Sequence, residues 1–135
     1  DEMAFALREI GLVYDVGSAH VIFNLTPLKE KEVFVYDNSG SGLPSGDLSK
    51  ALFSVIRWWR ESLGVTSYNM GIYMPPLGAN LKDGPWKNFF PFARLVDRGR
   101  EGALTNDMGG SEMYGPSVVA ADPFALARAY DAFYR

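Results

Sequence analysis

A chain of 135 residues makes one ordinary domain, long enough to bury a core without staples. Its formal net charge is -3, with no Lys/Arg run to face nucleic acid and no apolar run near the ~20 residues of a membrane helix. The absence of cysteine excludes disulfides, thiolate metal sites and cysteine nucleophiles.

The opening "DEMAFALREI" carries acids where a secretory signal carries bases, so a soluble, cytoplasmic protein is expected, with no membrane and no nucleic-acid partner. The chain starts at Asp1 rather than Met, as a piece of a longer protein would. "GLVYDV" (11–16), "AHVIFNL" (19–25) and "EVFVYD" (32–37) have the β-branched and aromatic content of strands, and a "GS" turn joins the first two. Asn24 heads an N-L-T glycosylation pattern. It is discounted because Pro27 follows and the surrounding segment is apolar. "DNSGSGLPSGD" (37–47) is a loop. In "DLSKALFSVIRWWRESLG" (47–64), Leu48, Leu52, Val55, Ile56, Trp59 and Leu63 recur at three- and four-residue steps. That spacing predicts a helix, with Asp47 as N-cap and Gly64 at C′.

"SYNMGIYM" (67–74) and "FFPFARLV" (89–96) read as further strands around a loop at 74–85. A third loop spans 98–116, and "PSVVAAD" (116–122) is expected to form a last short strand. The chain closes in a helix capped by Asp122 with Pro123 at N1; Phe124, Ala127, Tyr130 and Phe133 or Tyr134 face the core. Hairpins around a helix, without strict βα alternation, predict an α+β domain over residues 1–135. Its sheet is mostly antiparallel with helices packed on one face.

His20 is the single histidine. It stands in an apolar strand with no serine elbow nearby, and reads either as a strand-edge residue or as a catalytic base or metal ligand. There is no Walker loop and no dinucleotide fingerprint, and no cofactor is implied. Arg94, Asp97, Arg98 and Arg100 cluster at a strand end. Arg forks match phosphate or carboxylate, so the cluster is either an anion or sugar-phosphate site or a structural Asp–Arg turn before Gly99. "TNDMGGSE" groups Asn106, Asp107, Ser111 and Glu112 about two glycines, suited to sugar hydroxyls or simply solvated. Asn69, unusual in mid-strand, either bonds backbone or points at a ligand. Asp97, Asp107 and Glu112 also offer a weaker carboxylate set for Mg²⁺. Trp58, Trp59 and the phenylalanine run are read as core or interface.

The run from "AHVIFNLTP" through "DLSKALFSVIRWWRESLG", "SYNMGIYMPPL" and "WKNFFPFARL" to "LTND" covers roughly residues 19–133. It resembles the galactose-1-phosphate uridylyltransferase-like branch of the histidine-triad (HIT) fold, in particular its second, C-terminal half. In that family the strand ahead of "RL" carries a His-x-His pair, and the matching positions here are Trp86 and Asn88. Neither side chain can be a nucleophile. The His-Pro-His nucleophile motif is also missing. The resemblance therefore implies a HIT-like fold and a nucleotide-sugar or sugar-phosphate ligand, held without attack by Asn69, Arg94, Asp97, Arg98, Arg100, Asn106, Asp107 and Glu112. It implies as partner a second HIT-like half bearing the reactive histidine, or a homo-oligomer. The alternative is a catalytically inactive HIT-like structural or interaction subunit, which 14% aromatic content suits.

Overall fold

The computed structural model describes residues 2–99 and 122–135. Helix α1 (Glu2–Glu9) leads into strands β1 (Val13–Val16), β2 (Ala19–Phe23) and β3 (Val33–Asp37). Helix α2 (Gly46–Ser62), strands β4 (Tyr68–Tyr73) and β5 (Phe92–Asp97), and helix α3 (Pro123–Tyr134) follow. The five strands form one antiparallel sheet in the order β1-β2-β3-β5-β4, so β5 lies between β3 and β4. The α+β class with an antiparallel sheet is as the sequence predicts. The expected strand at 116–122 lies outside the described residues up to Asp122, which caps α3.

Strand period two divides the side chains. Ala19, Val21, Phe23, Val33, Val35, Ala93 and Leu95 point to one face and form the main core with Leu48, Ala51, Leu52, Val55, Trp58 and Trp59 of α2 and Ala127 and Tyr130 of α3. Phe23, Trp58 and Tyr130 meet at 5.3–5.8 Å between ring centres. The Tyr130 hydroxyl and Ser54 Oγ, 2.6 Å apart, tie the two helices together. Trp58, outside the expected apolar stripe, is as buried as Trp59. The opposite face carries a smaller cluster of Val13, Ile22 and Tyr36 under Ala4. The helix above it, α1, is not among the elements expected from the sequence. It is eight residues long, with only Ala4 buried among its side chains described.

The helix cap differs from expectation. Ser45, not Asp47, is the N-cap of α2: its Oγ accepts from Asp47 N (3.1 Å) and Leu48 N (3.3 Å). Asp47 instead accepts from Ser18 N (3.0 Å) and Lys50 Nζ (2.9 Å), pinning the β1–β2 turn to the helix start. Gly17 of that turn has φ +62°, and a Cβ there would lie 2.2 Å from the Asp47 carboxylate, so a side chain would both strain the backbone and displace that carboxylate from Ser18. Gly64 takes the expected C′ position with φ +65°.

Asp37, fully buried at the end of β3, gathers the neighbouring segments. It accepts from Ser45 N (2.5 Å), Ser39 N (2.9 Å) and Ser18 Oγ (3.3 Å). Burial opposes its ionisation, but the donors of Ser45 and Ser39 outweigh that and hold the carboxyl below its usual range. A lowered folded-state value stabilises the fold above the unfolded-state pKa of about 3.9, and the gain is lost as pH falls through the folded value. Asp37→Asn should therefore cost about 1–3 kcal/mol at neutral pH. Thermal melts of both proteins should converge as pH drops below about 4; a gap independent of pH would contradict this role.

Candidate functional site on the uncovered face of the sheet

Away from α2 and α3, the sheet presents Ile22, Phe34, Tyr36 and Phe92 from its central strands. Leu7 of α1 on one side and Asn88, Phe89 and Phe90 of the segment before β5 on the other close a cavity of about 570 Å³ over them. The rings in and beside its walls meet in two groups. Phe92 stacks on Tyr73 at 4.6 Å and meets Phe34 and Phe89 at 6.5 and 6.3 Å; Phe90 meets Tyr36 edge-on at 6.2 Å. A largely apolar, aromatic concavity with a few polar groups is the usual form of a small-molecule site.

Two amides reach it. The Asn24 amide is already committed: its oxygen accepts from Thr26 N (3.2 Å), and its nitrogen donates to Thr26 O (3.2 Å) and Glu32 (3.4 Å). That closed Asx turn is the structural role of the N-L-T segment. Asn88 is exposed at the rim. Trp86 and Asn88 do not stand on a strand ahead of "RL". They lie in a turn, and β5 begins only at Phe92, after Pro91, which has no N–H to give the ladder. The i, i+2 pair of β5 that faces the cavity side is Phe92 and Arg94.

Charge flanks the cavity on both sides. Towards β1, Asp15 Oδ1 lies 2.7 Å from Arg8 Nη2 and 2.5 Å from His20 Nδ1, and the His20 ring leans on Tyr36 at 4.8 Å. Burial works against the Asp15 charge, yet the His20 and Arg8 donors keep its carboxyl below the usual range. Burial raises the Tyr36 phenol above its ordinary value, so it stays protonated at neutral pH. His20 is thus the carboxylate-paired histidine of a three-residue cluster at the sheet edge. Towards β4, the Arg94 guanidinium lies over the Phe34 ring at 5.9 Å and its Nε pairs with Glu32. Glu32 is completely buried and also accepts Leu28 N at 2.6 Å. Sequence reasoning missed it. Its signal was an acid immediately ahead of an apolar strand, in "KEVFVYD".

The expected site residues fall on two faces. Asn69 and Arg94 come together beside the aromatic cavity, lining a pocket of about 180 Å³ with Gly71, Tyr73 and Val96. Asp97 points the other way, as the period of β5 requires. It pairs with Lys31 and accepts Gly99 N at 2.8 Å, closing the turn at Gly99, whose φ is +86°. With Lys31 and residues 63–66 it borders a separate cavity of about 420 Å³. Arg98 is half-buried, and its N–H donates to Ser67 O at 3.0 Å. Arg100, Asn106, Asp107 and Glu112 lie outside the described residues. Among the described residues no three His, Cys, Asp or Glu side chains are grouped to hold a metal, and no helix is long and apolar enough to cross a membrane.

A five-stranded antiparallel sheet in this order, with its helices, is a HIT-like α+β fold. Among solved structures, the chain is similar to an ADP-glucose phosphorylase from Arabidopsis thaliana crystallised with bound ADP-glucose. The TM-score is 0.59 and the identity 14%, over 94% of this chain and 42% of that one. The chain thus spans less than half the length of that protein. No protein-family model and no curated protein matches it.

The Glu32–Arg94 pair joins β3 to β5 beneath the candidate site. Replacing Arg94 by Met should leave a buried carboxylate without its cation and cost about 3–5 kcal/mol in urea unfolding. Glu32→Gln, which keeps an acceptor for Leu28 N, should cost less. Equal unfolding midpoints for wild type and Arg94→Met would show that the pair carries no stability.

Proposed function

We propose that the chain is a ligand-holding HIT-like half that binds a nucleotide sugar, or a sugar phosphate, on the uncovered face of its sheet. The observation that carries this reading is the aromatic cavity of about 570 Å³ beside Arg94 and Asn69. Flat rings among Phe34, Phe89, Phe90 and Phe92 suit a stacked heterocyclic base. The exposed Asn88 amide can donate to and accept from its edge. The Arg94 η nitrogens, on a fork whose Nε is fixed by Glu32, suit a phosphate oxygen. The binding of ADP-glucose by the similar plant phosphorylase supports the ligand class.

In this reading the chain orients and neutralises but does not attack. The cavity-facing positions of β5 are Phe92 and Arg94, and the single histidine, His20, is bound to Asp15 two strands away. Nucleotidyl transfer through a covalent histidine would need an imidazole from another half, as in a uridylyltransferase or phosphorylase. A second reading, a catalytically inactive structural or interaction subunit, is favoured by one observation: Arg94 and Asp97 already have internal ion-pair partners.

Thermal-shift titration separates the two. ADP-glucose, UDP-glucose and glucose 1-phosphate are the probes. Saturation with a ligand should raise Tm by several degrees, since a hundredfold excess over Kd adds about 2.7 kcal/mol. Asn88→Ala, at an exposed rim position, should keep the unliganded Tm and weaken the shift about tenfold in ligand concentration, on the order of one lost hydrogen bond. No shift with any of the three would leave the subunit reading.

A further inference from the structure

A buried hydroxyl on the uncovered face has no partner. Tyr36 of β3 is 8% exposed, and its Oη makes no hydrogen bond to any described residue. Tyr130, 4% exposed, shows the usual arrangement: its hydroxyl lies 2.6 Å from Ser54 Oγ. Trp58 Nε1 and Trp59 Nε1 are also unpaired, but they are sealed in the main core. Tyr36 instead borders the aromatic cavity, where a guest can reach it. The antiparallel register sets His20 opposite Tyr36 on β2 and Phe92 opposite it on β5. The His20 ring lies against the Tyr36 ring at 4.8 Å, and Asp15 holds His20 through Nδ1. Phe90 meets the Tyr36 ring edge-on from the segment before β5. The ring is thus packed between His20 and Phe90. Burial holds the phenol above its ordinary pKa, so at neutral pH it is protonated and can both donate and accept.

We propose that the Tyr36 hydroxyl is the specificity-determining group of the cavity and pairs with the polar edge of a nucleobase. The pairing presupposes the ligand reading above and adds the residue that selects the ligand's base end. An unpaired hydroxyl contributes nothing to the fold, but it decides what can lie beside it. A guest that turns an apolar group towards it leaves it unpaired and away from water, whereas a ring nitrogen or carbonyl oxygen accepts its proton. The rest of the wall favours a heterocycle over a sugar. The phenylalanines and Ile22 give apolar contact only, Asn24 is spent in its own turn, and Asn88 stands at the exposed rim. A hexose placed there would bury several hydroxyls against one partner. A flat base hides its faces on the rings and needs partners only along its edge. His20 gains a role in the same arrangement. It does not line the cavity; bound to Asp15, it braces the ring of Tyr36.

Isothermal titration of the whole chain with ADP-glucose, UDP-glucose and glucose 1-phosphate tests this, with Tyr36→Phe and Tyr130→Phe set beside wild type. Tyr36→Phe keeps the ring and its contacts and removes only the unpaired hydroxyl. Its unliganded Tm should be unchanged or higher, while the nucleotide sugar binds at least about fivefold more weakly. Glucose 1-phosphate brings no base and should show no such difference between Tyr36→Phe and wild type. Tyr130→Phe loses a hydrogen bond between the two core helices and should do the reverse, lowering Tm and leaving affinity unchanged. Equal nucleotide-sugar affinity for Tyr36→Phe and wild type, or an equal loss for glucose 1-phosphate, would overturn the proposal and leave the ligand reading standing. No binding of any of the three to wild type would overturn both.

Discussion

The alternation of side chains along β5 decides where chemistry can happen on this chain. Ala93, Leu95 and Asp97 turn towards α2 and α3; Phe92, Arg94 and Val96 turn away. Because the two longer helices lie on one side only, the β5 side chains that face them are consumed by packing or, for Asp97, by Lys31 and the Gly99 turn. Among the described residues, the other side is covered by the short helix α1 near β1 and β2 and by the segment of Asn88, Phe89 and Phe90 before β5. A cavity, an arginine and two amides remain there. A polar cluster contiguous in sequence is thereby split into a turn and a pocket wall.

Buried acids then fix the frame in which that pocket sits. Asp37 joins the β1–β2 turn, the loop after β3 and the cap of α2 through three donors. Glu32 joins the start of β3 to Arg94 and the 24–28 turn. Each replaces water with several donors at once, which makes a buried charge tolerable. Both stand at strand ends, where loops supply the donors. For Arg94 the consequence is chemical as well as structural, because its Nε is committed and its orientation over Phe34 is set.

The fold was largely legible because it rests on periodicity. The α2 stripe, the β-branched runs, Gly64 and the Asp122–Pro123 cap of α3 all follow from local rules. Misses arose where tertiary context overrides those rules. Helix α1 is too short for a period to speak, Ser45 outcompetes Asp47 because Asp47 is drawn to Ser18, and Pro91 delays β5. Of the expected residues, Asn69 stood out as an amide in mid-strand and Arg94 as part of the charged cluster at a strand end, and the structure places these two on one face. Their separation from Asp97 follows from counting by two. Glu32 left only the faint signal of an acid at the head of an apolar strand, its partner lying 62 residues on, and the aromatic cavity was not legible, since it depends on which face the helices leave bare. No sequence period carries that information.

The central claim is that the uncovered sheet face, and not the turn at Asp97, is where a ligand is held. A two-dimensional NMR titration with ADP-glucose tests it most directly. The account predicts saturable shifts of the backbone amides of Phe34, Tyr36, Asn88, Phe90 and Arg94, with Lys31, Val65 and Gly99 unmoved. Shifts confined to the Lys31–Gly99 side, with the aromatic face silent, would contradict it.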